Sequence, residues 1–415
     1  MTLRRLIPTS LRLSTLGLRF VLIFLLARYL PVSDVGLYGL FTATVSYALY
    51  PLGFDFYTYA TRQIMRGDRA RWRVYITSQM AFAACLFIVM APILVALFAA
   101  GLLPWSLVAW FFAILPLEYL GLEIDRLLIA MSDQLGASVV LFIGGAINPL
   151  TAIPLLWAVP GLRHLSTVLA TWATYDVLAL AVGTILIARL TAGANHPEVD
   201  WSWIRTGAKA SLPFLAGTVC LRALFTADRE VVKLFGDLSV LGAYTFYMSI
   251  GAGMTSVLYS GVQQFAYPRL VRSAHEHDSI AFKRHLRSLF LQTLGGIAGV
   301  SALTLAAEPI LLDFVRDDTY RQYAWMLPVV LLVVAIYNLS IVPHYALYAL
   351  DADRAILAIT VISLLAFAIT TAVFVHFNTV ASVLAGIGVA SAVLATGKSW
   401  NYLGQYRRHF RRQPY

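Results

Sequence analysis

The chain is built from continuous apolar runs, such as Ala81–Gly101 and Val361–Val375, separated by short charged segments. A helix needs about 20 apolar residues to cross a bilayer. A membrane β-barrel would instead show alternating segments about ten residues long. In hydrocarbon a helix satisfies its own backbone hydrogen bonds, so runs of this kind predict an all-α polytopic membrane protein. Composition agrees: 60% of the 415 residues are hydrophobic and 13% charged, against about 25% charged in a typical soluble domain.

Twelve spans follow, at 11–30, 35–55, 76–100, 103–123, 136–158, 166–188, 206–226, 238–262, 288–312, 325–348, 354–376 and 380–402. The loops between them divide by charge. One set carries 21 basic residues, among them Arg62, Arg66, Arg69, Arg71, Arg73, Arg269, Arg272, Lys283, Arg284, Arg287 and the tail residues Arg407, Arg408, Arg411 and Arg412. The other set carries six: Arg28, Arg163, Arg229, Lys233, Arg316 and Arg321. The basic side is expected to be cytoplasmic, which puts both termini there. Arg4 and Arg5 precede the first run as in a signal peptide, but Arg12 and Arg19 interrupt it and no small-residue cleavage site follows. It reads as a retained first helix. Cys85 and Cys220 fall inside spans, so no disulfide framework is expected.

The halves echo each other. Arg28-Tyr-Leu-Pro-Val-Ser-Asp-Val-Gly36-Leu-Tyr38 joins the first two spans, and Lys233-Leu-Phe-Gly-Asp-Leu-Ser-Val-Leu-Gly242-Ala-Tyr244 joins the seventh and eighth. Ala130-Met-Ser-Asp-Gln134 and Ala349-Leu-Asp-Ala-Asp-Arg354 each follow the fourth span of a half. Two units are expected, 1–205 and 206–415, the second ending in a short basic tail. Parallel repeats of this kind occur in secondary transporters, with the substrate site at the repeat interface.

Leu26-Ala-Arg-Tyr-Leu-Pro-Val-Ser-Asp-Val-Gly-Leu-Tyr38, followed by Gly53-Phe-Asp55 and Thr61-Arg62, resembles the opening of bacterial polysaccharide transporters. That family includes the O-antigen and exopolysaccharide flippases of the multidrug/oligosaccharidyl-lipid/polysaccharide exporter superfamily. The resemblance implies two pseudo-symmetric six-helix bundles around a central cavity in the inner membrane, working by alternating access. The implied cargo is an undecaprenyl-pyrophosphate-linked oligosaccharide, and the implied partners are membrane lipids and polysaccharide polymerase or assembly proteins.

Ionisable groups inside spans are candidates for function because they are costly in lipid. Arg19 and Arg222 lie in the opening helices of the two halves and are expected to offer a pyrophosphate a cationic cavity, since the guanidinium fork matches phosphate oxygens. A structural ion pair or a snorkelling side chain is the competing reading. Arg28 and Lys233, at the outer ends of the same spans, either receive the head group or are loop charges. Glu118 and Asp176 either couple transport to an ion gradient or pair with Arg19 to hold the bundle. Asp55 is expected to cap the second helix and to pair with Arg62, and Lys398 to snorkel. Tyr47, Tyr50, Phe54 and Tyr57 recur at helical spacing, and Tyr244 and Tyr247 begin a similar face. These aromatics line a sugar path or sit at the lipid interface.

No Walker motif, metal-ligand spacing or nucleophile–histidine arrangement stands out, so no cofactor, metal or catalytic residue is expected. The basic loop 269–287 reads as an orientation signal, and no nucleic-acid partner is expected. Two rivals to the flippase remain. A drug/cation antiporter of the same superfamily would want an acidic cavity, and the first span has no carboxylate before Asp34. A polymerase or acyltransferase would want a large outer loop or a paired intramembrane histidine; the outer loops are short, and His344 and His376 have no evident partner.

Overall fold

Each apolar run becomes a helix in the computed structural model, which describes residues 3–315 and 317–411. Arg316 and Arg412 of the charge pattern lie outside these residues. No strand occurs among the described residues. The helices are α1 (Leu3–Tyr29), α2 (Val32–Gly53), α3 (Tyr57–Arg66), α4 (Trp72–Ala99), α5 (Val108–Ala130), α6 (Gln134–Phe142), α7 (Asn148–Ala158), α8 (Leu165–Leu190) and α9 (Trp201–Leu224). They continue as α10 (Ala227–Phe235), α11 (Leu238–Leu258), α12 (Gln264–His275), α13 (Ser279–Val315), α14 (Asp318–Gln322), α15 (Met326–Ala349), α16 (Asp353–Phe374) and α17 (Thr379–Arg411). Two π-helical turns, Ile143–Ile147 and Tyr259–Gln263, join α6 to α7 and α11 to α12.

Ten of these stretches are long and apolar enough to cross a membrane. The other two predicted spans are α2 and α11, the second span of each half. Both are about half buried by neighbouring protein: 11 of the 22 residues of α2 and 12 of the 21 of α11 are buried. A helix shielded by its neighbours can carry Tyr, Thr, Ser and Gly without meeting lipid, which lowers its apolar content. By contrast α4, α8 and α13 present Ile88, Ile185 and Leu303 outward, as lipid-facing helices do.

The chain divides into two units, Met1–Val219 and Cys220–Tyr415. In unit 1, α5 packs along α8, α1 packs against α6 and α7, and Gly183 of α8 sits so close to α5 that a Cβ would lie 2.5 Å from Ile124. The basic end of this unit is closed by α3, whose Ala60 and Ile64 turn inward beside Trp72, Tyr75, Leu127 and Trp203. Arg62 and Arg66 stay exposed. The segment before α9 is tied to α4 by Asp200 N–H donating to Ser78 (2.9 Å) and by the Arg71–Asp200 ion pair (3.2 Å). In unit 2, α15, α16 and α17 form the main packing, and α12 with α13 closes the basic end around Leu270, Phe282 and Ala346.

The second sequence echo corresponds to one turn used twice. After α5 the chain turns at Ser132 (φ 69°) and after α15 at Asp351 (φ 54°), both left-handed. Asp133 then caps α6 by accepting from Gly136 N–H at 2.9 Å. The end of the second predicted span differs from expectation. Helix α2 stops at Gly53, and Phe54 and Asp55 both take left-handed conformations (φ 54° and 48°), so Tyr57 starts a new helix and shares no face with Tyr47.

Candidate functional site

The polar interior of unit 1 begins with a backbone defect. Pro149 has no N–H, so it leaves the Gly145 carbonyl, four residues back, without its helical donor. The π turn at 143–147 opens the helix at that point. Arg19 of α1 fills the gap: its Nε donates to Gly145 O at 3.4 Å. Only glycine permits this approach, because a Cβ on residue 145 would lie 2.8 Å from Arg19 Nε and 2.6 Å from Thr15 Cγ2. Gly144 beside it faces α8, where a Cβ would lie 3.2 Å from Asp176 Oδ1.

Two adjoining cavities share Arg19, Glu118, Gly144 and Gly145. One, of about 160 Å³, is completed by Tyr38, Asn148 and Trp172. The other, of about 120 Å³, is completed by Asp125 and Asp176. Trp172 Nε1 donates to Glu118 Oε1 at 2.6 Å, and its ring is held edge-on by Phe41. Thr171 donates to Asn148 Oδ1 at 2.8 Å. Asp176 is buried, one helical turn beyond Trp172, and its Oδ2 has no hydrogen-bond partner among the described residues. Arg19, Glu118 and Asp176 lie within electrostatic reach of one another. Arg19 keeps the most accessible surface of the three; Glu118 is half-buried.

Two further ion pairs stand nearer the basic end. Arg12 bonds Asp125 at 2.7 Å and donates to Ser138 at 3.1 Å. The buried Glu123 accepts from Arg126 at 2.5 Å and from Gln79. Arg126 also stacks over the Tyr57 ring, 3.6 Å from its centroid. Burial raises the Tyr57 phenol above its ordinary pKa, and Arg126 offsets part of that rise.

No family model and no curated protein matches the sequence. Solved structures do. A multidrug resistance MATE family transporter of the MOP superfamily, in its inward-facing conformation, is similar over 96% of both chains, with 12% identity and a TM-score of 0.74. A MATE in the bent conformation is similar over 97% of both chains, with 14% identity and a TM-score of 0.60. A Vibrio cholerae MATE transporter is similar over 98% of both chains, with 13% identity and a TM-score of 0.56. The chain has the MATE transporter fold. At this identity the likeness is one of fold alone, and the MATE-type frame is what the chemistry of unit 1 is set into.

Within that MATE-type fold the predicted site residues separate. Arg19, Glu118 and Asp176 come together; the remaining predicted residues line neither cavity. Arg28 is half-buried and stacks over Tyr29, 5.8 Å from the ring centroid. Lys233 is half-buried on α10, and Arg222 is exposed on α9 with Tyr337 as its electrostatic neighbour. The face of α2 toward the first cavity is Tyr38, Thr42, Val45, Ser46 and Leu49. Tyr47 and Tyr50 each lie one residue beyond that face, about 100° around the helix. Tyr244 and Tyr247 are core residues of unit 2: Tyr244 donates to Asp228 Oδ2 at 2.7 Å, and Tyr247 to the Tyr320 carbonyl at 2.6 Å. Asp55 is buried and forms no ion pair with Arg62. Lys398 does not snorkel either. It is 4% exposed, because α15 and α16 pack over that face of α17.

The residues that sequence reasoning passed over are Tyr38, Asn148, Trp172 and the Gly144–Gly145 pair. Trp172 and Asp176 are four apart on one predicted helix, and Gly-Gly followed by Asn-Pro is a break signal inside an apolar run. Both signals were readable.

Proposed function

We propose that the chain is a secondary transporter that works by alternating access and is coupled to a cation gradient through Glu118 and Asp176. One observation carries this reading. Of the three carboxylates that line one cavity with Arg19 at a break in a membrane helix, Asp125 is paired with Arg12, while Glu118 and Asp176 are in no ion pair among the described residues and the buried Asp176 keeps an oxygen without a hydrogen-bond partner among them. A site of that kind gains or loses a proton or small cation at modest cost, and its charge state biases the helices that hold it. The fold neighbours bear the names of multidrug resistance transporters, which favours export of an amphipathic organic compound in exchange for the cation.

A second reading keeps the cargo anionic. Arg19 is the most accessible of the three charged residues, and Arg222 is exposed as well. Both suit a phosphate better than an organic cation. In this reading the chain flips an undecaprenyl-pyrophosphate-linked oligosaccharide across an inner membrane, with both termini cytoplasmic.

Proteoliposomes distinguish the two. Efflux of a lipophilic cationic dye driven by an imposed proton or sodium gradient, and lost in Asp176→Asn, supports the exporter. Movement of the lipid-linked oligosaccharide between leaflets, lost in Arg19→Ala and partly kept in Arg19→Lys, supports the flippase. Gradient-driven transport that survives both Glu118→Gln and Asp176→Asn would falsify the coupling role.

A further inference from the structure

The basic end of unit 2 contains a groove that the transport reading does not use. Helices α12 and α13 run antiparallel from the turn at 276–278, and between them lies a cavity of about 250 Å³. Arg269 on α12 and His285 on α13 are each six residues from that turn's helix ends, so they stand at about the same height. Ser288 and Gln292 continue the polar face of α13 toward the membrane, and Phe265 of α12 with Val262 of the π turn before it forms the apolar side opposite them.

The lining is selective in charge. Arg269 is exposed and takes part in no ion pair among the described residues, and no carboxylate lines the cavity. His285 Nδ1 is engaged by Ser273 at 2.9 Å, which fixes the ring and leaves Nε2 as its other polar atom. Ser273 itself donates to the Arg269 carbonyl at 2.9 Å, so the two α12 residues are held one turn apart. Arg272 follows Arg269 on α12 and Arg284 precedes His285 on α13, while Lys283 is directed at the Tyr406 ring, 5.2 Å from its centroid. Glu276 and Asp278 are in the turn, Asp278 is occupied in capping α13 through Ile280 N–H (3.0 Å) and Ala281 N–H (2.8 Å), and Asp351 and Asp353 lie on the Tyr267 side of α12. On the membrane side the surface turns apolar at once, with Phe265, Phe290, Leu291 and Leu294 exposed.

We infer that this groove binds the head group of an anionic phospholipid, with the phosphate at Arg269 and the acyl chains along Phe265 and the outer face of α13. A guanidinium offers a phosphate two parallel charge-assisted bonds, and a basic pocket between helices at the membrane boundary is where such a head group is captured. The apolar belt immediately beside the cation is what separates a lipid from a free anion. The inference does not depend on the cargo or on the coupling residues.

Native mass spectrometry of the purified full chain tests it, with phosphatidylglycerol and phosphatidylcholine supplied together. The wild-type chain is expected to retain phosphatidylglycerol in preference. Arg269→Gln should lower that retention about tenfold, as expected for loss of one charge-assisted anchor. Arg269→Lys should keep part of it, and Arg407→Gln in the tail should leave it unchanged. Arg269 is exposed, so each variant should melt with the wild-type chain. No lipid preference in the wild type, or equal loss in Arg269→Gln and Arg407→Gln, overturns the site. Displacement of phosphatidylglycerol by a small excess of inorganic phosphate assigns the groove to soluble anions and overturns the lipid assignment.

Discussion

The two units bury polar groups in different ways. Unit 1 gathers opposite charges in its interior: Glu123 with Arg126, Asp125 with Arg12, and Glu118 and Asp176 around Arg19. Unit 2 buries Lys398 and the Asp228–Arg229 pair, and around its π turn it uses amides. Gln263 donates to Asn338 Oδ1 at 3.3 Å, and Asn338 donates to Thr255 Oγ1 at 3.0 Å and to the Val334 carbonyl at 2.9 Å. Its buried carboxylate, Asp228, lies near the start of α10 and is satisfied by Tyr244 and Arg229. Each unit carries a π turn at its polar core, but the first faces charges and the second faces amides. An amide network fixes packing at a constant charge. An ionic one can change charge, and so can respond to a gradient. The difference locates coupling in unit 1 on our reading.

The largest effect should come from breaking a buried pair in unit 1. Arg126→Ala leaves Glu123 buried without its cation and should cost about 3–5 kcal/mol, read as a fall in the thermal midpoint of the detergent-purified chain. An unchanged midpoint would mean that water reaches Glu123. Next, Glu118→Gln and Asp176→Asn should each lower gradient-driven transport by roughly 5- to 150-fold, the span of typical coupling energies, while leaving the fold intact. Asn338→Leu in unit 2 should cost about 1–3 kcal/mol, because Gln263 loses its acceptor, and transport per folded molecule should be unaltered. Gradient coupling lost through Asn338→Leu would erase the contrast between the units. The smallest effect is expected at Lys398. It is buried and forms no ion pair among the described residues, so Lys398→Met should be neutral or mildly stabilising. A large loss of transport there would make unit 2 a second charged site.

The spans were legible because lipid imposes a one-dimensional rule: enough apolar residues in a row make a helix. All twelve predicted spans correspond to helices. The short helices α3 and α12 were not legible, since at 10 and 12 residues they are too brief for that rule. Their inward faces are defined by neighbours distant in sequence, such as Trp203 for α3 and Ala346 for α12. Arg19, Glu118 and Asp176 could be picked out because a charge inside an apolar run is conspicuous. Their proximity could not, since it depends on how α1, α5 and α8 meet. The tyrosine face failed at one step: Phe54 and Asp55 adopt left-handed backbone without a glycine to signal it.

The π turn at 143–147 gives the site a property usually associated with genes: sensitivity to length. Such a turn holds one residue more than the α-helix around it. Deleting a single codon there would let the helix rewind as a regular one, with no apolar residue lost and membrane insertion unharmed. Because the turn itself absorbs the extra residue, the helix C-terminal to it would keep its register, while the local widening that admits Arg19 to the Gly145 carbonyl would close. A reading-frame-preserving deletion would therefore remove the defect alone and leave the rest of the helix in place.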